Sequence, residues 1–302
     1  DLQFQTPETD SMAAGDVVIG TIFLSQTIVG VLGNSSLLYH FLFIFFTKSK
    51  LKSTDLILWH SVVANFLTLM CKGVPHTMAA FGLKDFLDDF GCKLLFYLHR
   101  VGRGVSIGST CLLSIFQAIT ISPRVLKWRE LKAKVFKYFG IWIYLSWTLN
   151  LLINIVILKN ITGKQGNKNI TILQDFGYCS SASLGKTGEI VHAIYLLFPD
   201  VMCVGLMLWA SSSMVLILHR HKQRMRHMQR TTTQTILLLV STFVFFYSLS
   251  SIFHICLALV YNPTWFLVNV SAIVSGCFPS VSCFLLMSHD SSAWKVYFPC
   301  LR

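Results

Sequence analysis

Seven ionisable side chains lie in long apolar runs that have no ordinary use for them. His99, Arg100 and Arg103 interrupt one such run and Asp200 another; Lys72 and His76 share a third, and His254 sits in a fourth. A charge at the centre of a bilayer costs at least about 2.5–3.5 kcal/mol, so residues of this kind pair with one another, line a polar cavity or meet a ligand. The chemistry on offer is recognition: arginine presents a rigid fork of N–H donors to an anion. No nucleophile stands beside a base and no Cys/His set has zinc spacing, so neither an enzyme nor a metal or cofactor is expected. The run Gly102-Arg103-Gly104-Val105-Ser106-Ile107-Gly108 has the wrong spacing for a dinucleotide fingerprint and no strand before it. Its Gly104 and Gly108 suit small-xxx-small helix packing instead. Gly185-Lys186-Thr187 lacks the first glycine of a phosphate loop, because Ser180 occupies that place.

Geometry narrows the set. His99 and Arg103 are four apart and share a helical face, with Arg100 close by. They fall roughly 10–17 Å below Cys92 at the helical rise, and Asp200 falls about 15 Å below Ile190, so arginine and carboxylate reach similar depth. Two arginines facing one acid leave a cation over. The residues therefore allow a purely structural pair, Arg103 or Arg100 with Asp200, or one such pair plus a second arginine that lines a ligand pocket. The expectation is that Arg103 lines the pocket together with His99, with Asp200 keeping the nearby cations in place. Lys72, His76 and His254 are the other candidate lining residues.

The elements that must position these groups are membrane spans. The chain has 302 residues, of which 54% are hydrophobic and 13% charged, about half the charge of a soluble domain. Seven stretches exceed the roughly 20 residues needed to cross a bilayer core: 17–46, 54–80, 91–122, 135–158, 190–218, 231–261 and 265–287. The expected fold class is an all-α membrane protein, one seven-transmembrane helix bundle over 1–302. In it, 1–16 is an extracellular N-terminus, 17–287 the bundle with its loops, and 288–302 a cytoplasmic tail. No cleavable signal peptide is expected within the polar, acidic first sixteen residues.

The net charge of +12 does not point to nucleic acid. Sixteen of the 25 Lys and Arg fall in three alternate loops and the tail. The positive-inside rule puts those segments in the cytoplasm and the N-terminus outside. This basic face includes Arg124, Arg129, Arg220, Arg224 and Arg226, candidates for contact with a cytoplasmic partner and with anionic lipid. On the outer side, Cys92 at the start of the third span and Cys179 in the long outer loop face an oxidising compartment, and a disulfide between them is expected. Of four N-x-S/T sequons, Asn34 and Asn269 lie inside spans. Asn169 in the outer loop is the favoured glycan acceptor, with Asn160, nearer the membrane, second. The histidines His219, His221 and His227 read as part of the solvated basic run.

Seven spans, an outer N-terminus, a cysteine pair and a basic inner face resemble a G-protein-coupled receptor. Gly33-Asn34 agrees with that. The third span, however, ends Phe116-Gln117-Ala118-Ile119-Thr120-Ile121 without Asp-Arg-Tyr, and the seventh has Cys277-Phe278-Pro279-Ser280 instead of Asn-Pro-x-x-Tyr. The chain closely resembles the vomeronasal type 1 receptors, a family of pheromone receptors. The stretches that carry the likeness run through almost the whole chain: Ser53-Thr54-Asp55-Leu56-Ile57, Lys72-Gly73-Val74-Pro75, Phe96-Tyr97-Leu98-His99-Arg100-Val101-Gly102, Gly177-Tyr178-Cys179-Ser180, Phe198-Pro199-Asp200 and Leu218-His219-Arg220-His221-Lys222-Gln223. It departs from the family's pattern in a loop between the fifth and sixth spans that looks short. The resemblance implies a plasma-membrane, multi-pass receptor for a small pheromone or chemosignal, coupled to a heterotrimeric G protein of the inhibitory class. Some relatives respond to small volatiles and others to sulfated steroids. Two other readings are a bitter-taste-like seven-helix receptor, which the second- and third-span motifs fit poorly, and a small-molecule transporter or channel, which would more often show paired halves.

Overall fold

A computed structural model describes residues 7–47, 53–83, 86–121, 126–159, 161–162, 172–175, 178–182, 185–220, 227–260 and 264–289. The chain is nearly all helix. Helix α1 runs Pro7–Phe46 and α2 runs Ser53–Thr68; α2 continues through a π-helical turn, Leu69–Gly73, into α3, Val74–Ala80. Then come α4 (Asp89–Ile121), α5 (Leu126–Ile153, ending in a 3₁₀ turn, Asn154–Lys159), α6 (Gly185–Arg220), α7 (His227–Leu259) and α8 (Trp265–His289). Among the described residues, six helical segments are long and apolar enough to cross a membrane: Gly15–Phe46, Thr54–Ala80, Gly140–Leu158, Ile190–Ile217, Leu237–Leu257 and Trp265–Met287.

The remaining long helix, α4, carries His99, Arg100 and Arg103 in its first half. It can carry them because it packs against α2, α5, α6 and α7, so much of its surface meets protein where its neighbours meet lipid. The other helices present large apolar side chains outward, among them Leu32 on α1, Trp142 on α5, Phe198 and Trp209 on α6 and Phe245 on α7. On a soluble surface such a display would be an aggregation liability; against lipid it is the normal outer face. The principal core lies on the inner side of the bundle and includes Leu37, Ile57, Val62, Ile107, Phe243 and Phe278.

Three departures from the sequence expectations have physical causes. Helix α1 begins at Pro7, ten residues before the expected span. Proline is pre-organised for the first helical position, and nothing in Glu8–Gly15 stops a helix once started. The second span is broken by the π turn, in which the Val74 N–H bonds to the carbonyl of Leu69. It lies just ahead of Pro75, whose ring and missing N–H disturb the turn before it. The exception to an all-α reading is a three-stranded antiparallel sheet in the outer loop. Its strands are β1 (Ile161–Thr162), β2 (Ile172–Asp175) and β3 (Ser180–Ala182), in the order β1-β3-β2.

Small residues let the helices approach closely. A Cβ on Gly104 would collide with the Asn150 side chain of α5, and one on Gly108 with Ser146, so both glycines do pack helix on helix. Between α2, α4 and α8, Asn65 accepts from Ser106 at 2.6 Å and donates to Ser282 at 3.0 Å. Asn34 donates to the Pro279 carbonyl at 2.9 Å and joins α1 to α8. These buried polar groups find partners across helices, as a lipid environment demands.

Candidate ligand site

Arg103 is 2% exposed and points from α4 toward α6 and α7. Its Nε lies 3.5 Å from Asp200 Oδ2 on α6, an ion-pair distance without hydrogen-bond alignment. The guanidinium donates to Ser250 on α7 at 2.8 Å and to Ser251 at 3.4 Å, and it sits 4.7 Å from the centroid of the Tyr247 ring. One side chain thus binds three helices through an ion pair, two hydrogen bonds and a cation–π contact. Asp200 owes its place to α6, where Pro199 removes one backbone donor just before it.

Arg100, one turn closer to the Asp89 end of α4, takes a different role. It donates to the backbone carbonyl of Leu196 on α6 at 3.3 Å, and its Nε is buried with no hydrogen-bond partner among the described residues. Arg100, Arg103 and Asp200 line a recess of about 230 Å³ together with Asn150, Asn154 and Leu196. Much of that space is open to solvent, and its enclosed part is about the size of one water molecule. His192, on α6 roughly two turns before Asp200, is close enough to Arg100 for the two to interact electrostatically. Its Nε2 is buried without a hydrogen-bond partner among the described residues.

The other expected lining residues do not all join this recess. His99 is buried on α4. Lys72 turns toward α8 and donates to Ser275 at 2.7 Å. His76 shares a 2.7 Å hydrogen bond with the hydroxyl of Tyr178. His254 belongs to α7, but its side chain lies outside the described residues, as do the side chains of Arg129 and Arg220. Arg124, Asn160, Asn169, Arg224 and Arg226 also lie outside them. The partners that sequence reasoning missed are Tyr247, Ser250, Ser251, Asn150, Asn154 and His192. The serines of Ser248–Ser251 in an otherwise apolar helix were the available signal.

The loop between α5 and α6 is tied down. Cys92 and Cys179 are disulfide-bonded, with Cα atoms 5.7 Å apart. The adjacent Tyr178 is 1% exposed and packs against Phe86 and Phe96. Burial pushes its phenol above the ordinary tyrosine range, so the hydroxyl stays protonated and neutral beside His76. Disulfide, aromatic cluster and hydrogen bond together pin the strand β3 end of the loop to the N-terminal end of α4 and to α3.

Comparison with known proteins agrees over nearly the whole length. The model of the vomeronasal organ pheromone receptor family matches residues 17–298. The human protein "Vomeronasal type-1 receptor 4" is 53% identical over 298 residues, covering 95% of this chain and 99% of that one. The human "Vomeronasal type-1 receptor 3" is 50% identical, with 92% of each chain covered. A more distant relative from Danio rerio, "Olfactory receptor class A-like protein 1", is 27% identical over 90% of this chain and 89% of its own.

Proposed function

This chain belongs to the vomeronasal organ pheromone receptor family, a family of multi-pass membrane receptors, and from that membership we propose that it detects a small chemosignal and signals to a heterotrimeric G protein. In this reading α4 is the seventh span. The N-terminus is outside the plasma membrane, the C-terminus is cytoplasmic, and the bundle with its loops is a single receptor domain. The charge asymmetry of the loops supports that orientation. The basic face made by Arg124, Arg129, Arg220, Arg224 and Arg226 meets the G protein, of the inhibitory class, and at rest meets anionic lipid.

The observation that carries the ligand reading is the unequal use of two neighbouring arginines. Arg103 is consumed by Asp200, Ser250 and Ser251. Arg100 keeps a buried donor without a partner among the described residues, at a polar recess. Leaving a buried donor unmade costs about 1–3 kcal/mol, more for a charged group. A ligand with an anionic group recovers that cost when it binds. Arg100 therefore takes the anionic end, with His99 on the same helix and Asp200 holding Arg103 in place beside it. Because the enclosed part of the recess is only about water-sized, binding a ligand requires the helices to move apart. An agonist then acts by preferring that opened arrangement, through its difference in affinity for the two states.

The test is a G-protein activation assay in cells that express the full chain, against neutral volatiles and steroid sulfates. Activation by either class, blocked by toxin-catalysed modification of inhibitory G proteins, supports the reading. Surface-expressed receptor that activates no G protein with any of them counts against it.

A further inference from the structure

A second polar recess lies away from the arginines, between α1, α2 and α8. It is a small, partly open recess whose enclosed part is about the size of one water molecule, and it is lined by Gln26, Thr27, Thr68, Lys72 and Ser275, with Leu69, two glycines and an alanine. The π turn of the second span carries Lys72 to its wall, and π turns are frequent at functional positions. The ammonium has three N–H groups. One is given to Ser275 Oγ, and the ammonium makes no other hydrogen bond or ion pair to a described residue.

The neutral groups around it are mostly spent. The Ser275 hydroxyl donates to the Ala272 carbonyl at 2.8 Å, the Thr68 hydroxyl to the Ala64 carbonyl at 2.9 Å, and the Gln26 amide to the Ile273 carbonyl at 3.0 Å. The Thr27 hydroxyl makes no hydrogen bond to a described residue and lines the same recess. Among the described residues no carboxylate lines it. Asp200 is engaged by Arg103. A cation, two unused N–H groups and one unused hydroxyl thus share a small space to which no described residue brings a negative charge. An uncompensated ammonium is costly there.

We propose that Lys72 and Thr27 hold a small monovalent inorganic anion, chloride in a cell, in the recess between α1, α2 and α8. Such an ion completes the charge of the recess and joins three helices, so it stabilises the folded bundle by mass action.

The experiment uses the full-length receptor purified in detergent, at constant ionic strength, with chloride raised from about 1 to about 150 mM against gluconate, which is too large for the recess. The expected result is a saturable rise in Tm of roughly 2–4 °C, reproduced by bromide and abolished in Lys72→Met. Thr27→Val should raise the chloride midpoint about tenfold, and it serves as the variant of record if Lys72→Met does not yield folded protein. Equal Tm in chloride and gluconate, a chloride response retained in Lys72→Met, or an unchanged midpoint in Thr27→Val would each overturn the proposal. No agonist or G protein enters this measurement, so its outcome is separate from that of the receptor assay.

Discussion

Arg103 Nε on α4 lies 3.5 Å from Asp200 Oδ2 on α6, with both side chains almost wholly removed from the surface. Removing one partner of a buried pair strands the other charge and typically costs about 3–5 kcal/mol, whereas removing both can be nearly neutral. Asp200→Asn alone should therefore lower surface expression and thermal stability sharply. Asp200→Asn combined with Arg103→Met should recover much of the loss, measured by cell-surface labelling and by Tm of purified receptor. A double variant as unstable as the sum of the singles would show that the two residues are not coupled.

Close approach of α4 to α5 gives a second prediction. Gly104→Ala places a methyl group against the Asn150 side chain, an overpacking expected to cost about 1–3 kcal/mol. Shortening the neighbour with Asn150→Ala should relieve most of that cost. The double-mutant cycle in Tm should show a coupling above about 0.5 kcal/mol. Additive losses would mean that the helices separate freely there.

Tyr178 supplies a pH dependence. Its phenol is raised by burial from an ordinary value of 10.0, so the folded state holds the proton more tightly than the unfolded one. The associated stability is complete below pH 10 and is lost as pH rises above it. Tyr178→Phe should flatten that alkaline decline. The same change should cost about 0.5–1.5 kcal/mol near neutral pH through the lost bond to His76. Parallel alkaline curves for the two proteins would place the effect on another group.

The outer loop carries two covalent expectations. Non-reducing peptide mapping of surface-expressed protein should recover Cys92 and Cys179 in one linked species, and free alkylation of either would refute the bond. Asn169→Gln should shift the protein on a gel nearly to the position of glycosidase-treated receptor. No shift would move the glycan to Asn160.

How much of this was legible in the sequence depends on the signal each residue carries. Arg100, Arg103 and Asp200 are conspicuous because charge in an apolar run is costly and therefore rare. Which arginine pairs is not legible, since residues three apart on one helix look alike until the facing helix is placed. Tyr247, Ser250 and Ser251 are neutral; the serines clustered at 248–251 mark a polar stretch in the sequence, but that it consumes Arg103 becomes visible only in the fold. Lys72 and His76, four apart, look like further lining of the same site. The π turn ahead of Pro75 is what their spacing cannot show, and in the fold one faces α8 and the other Tyr178. The outer-loop sheet has strands of two to four residues, too short for an alternating pattern to mark. Glycine spacing, by contrast, marked the contact of α4 with a neighbouring helix directly.

In the proposed mechanism Arg100, and not the already paired Arg103, receives the anionic end of a ligand. The most direct test is a set of dose–response curves of G-protein activation for a matched pair of agonists, one anionic and one neutral, of similar shape. Arg100→Gln should weaken the anionic agonist roughly ten- to a hundredfold, the value of a charge-assisted contact of about 1.5–3 kcal/mol, and leave the neutral one near wild type. Equal loss for both agonists, or retention of full potency by the anionic one, would contradict that role for Arg100.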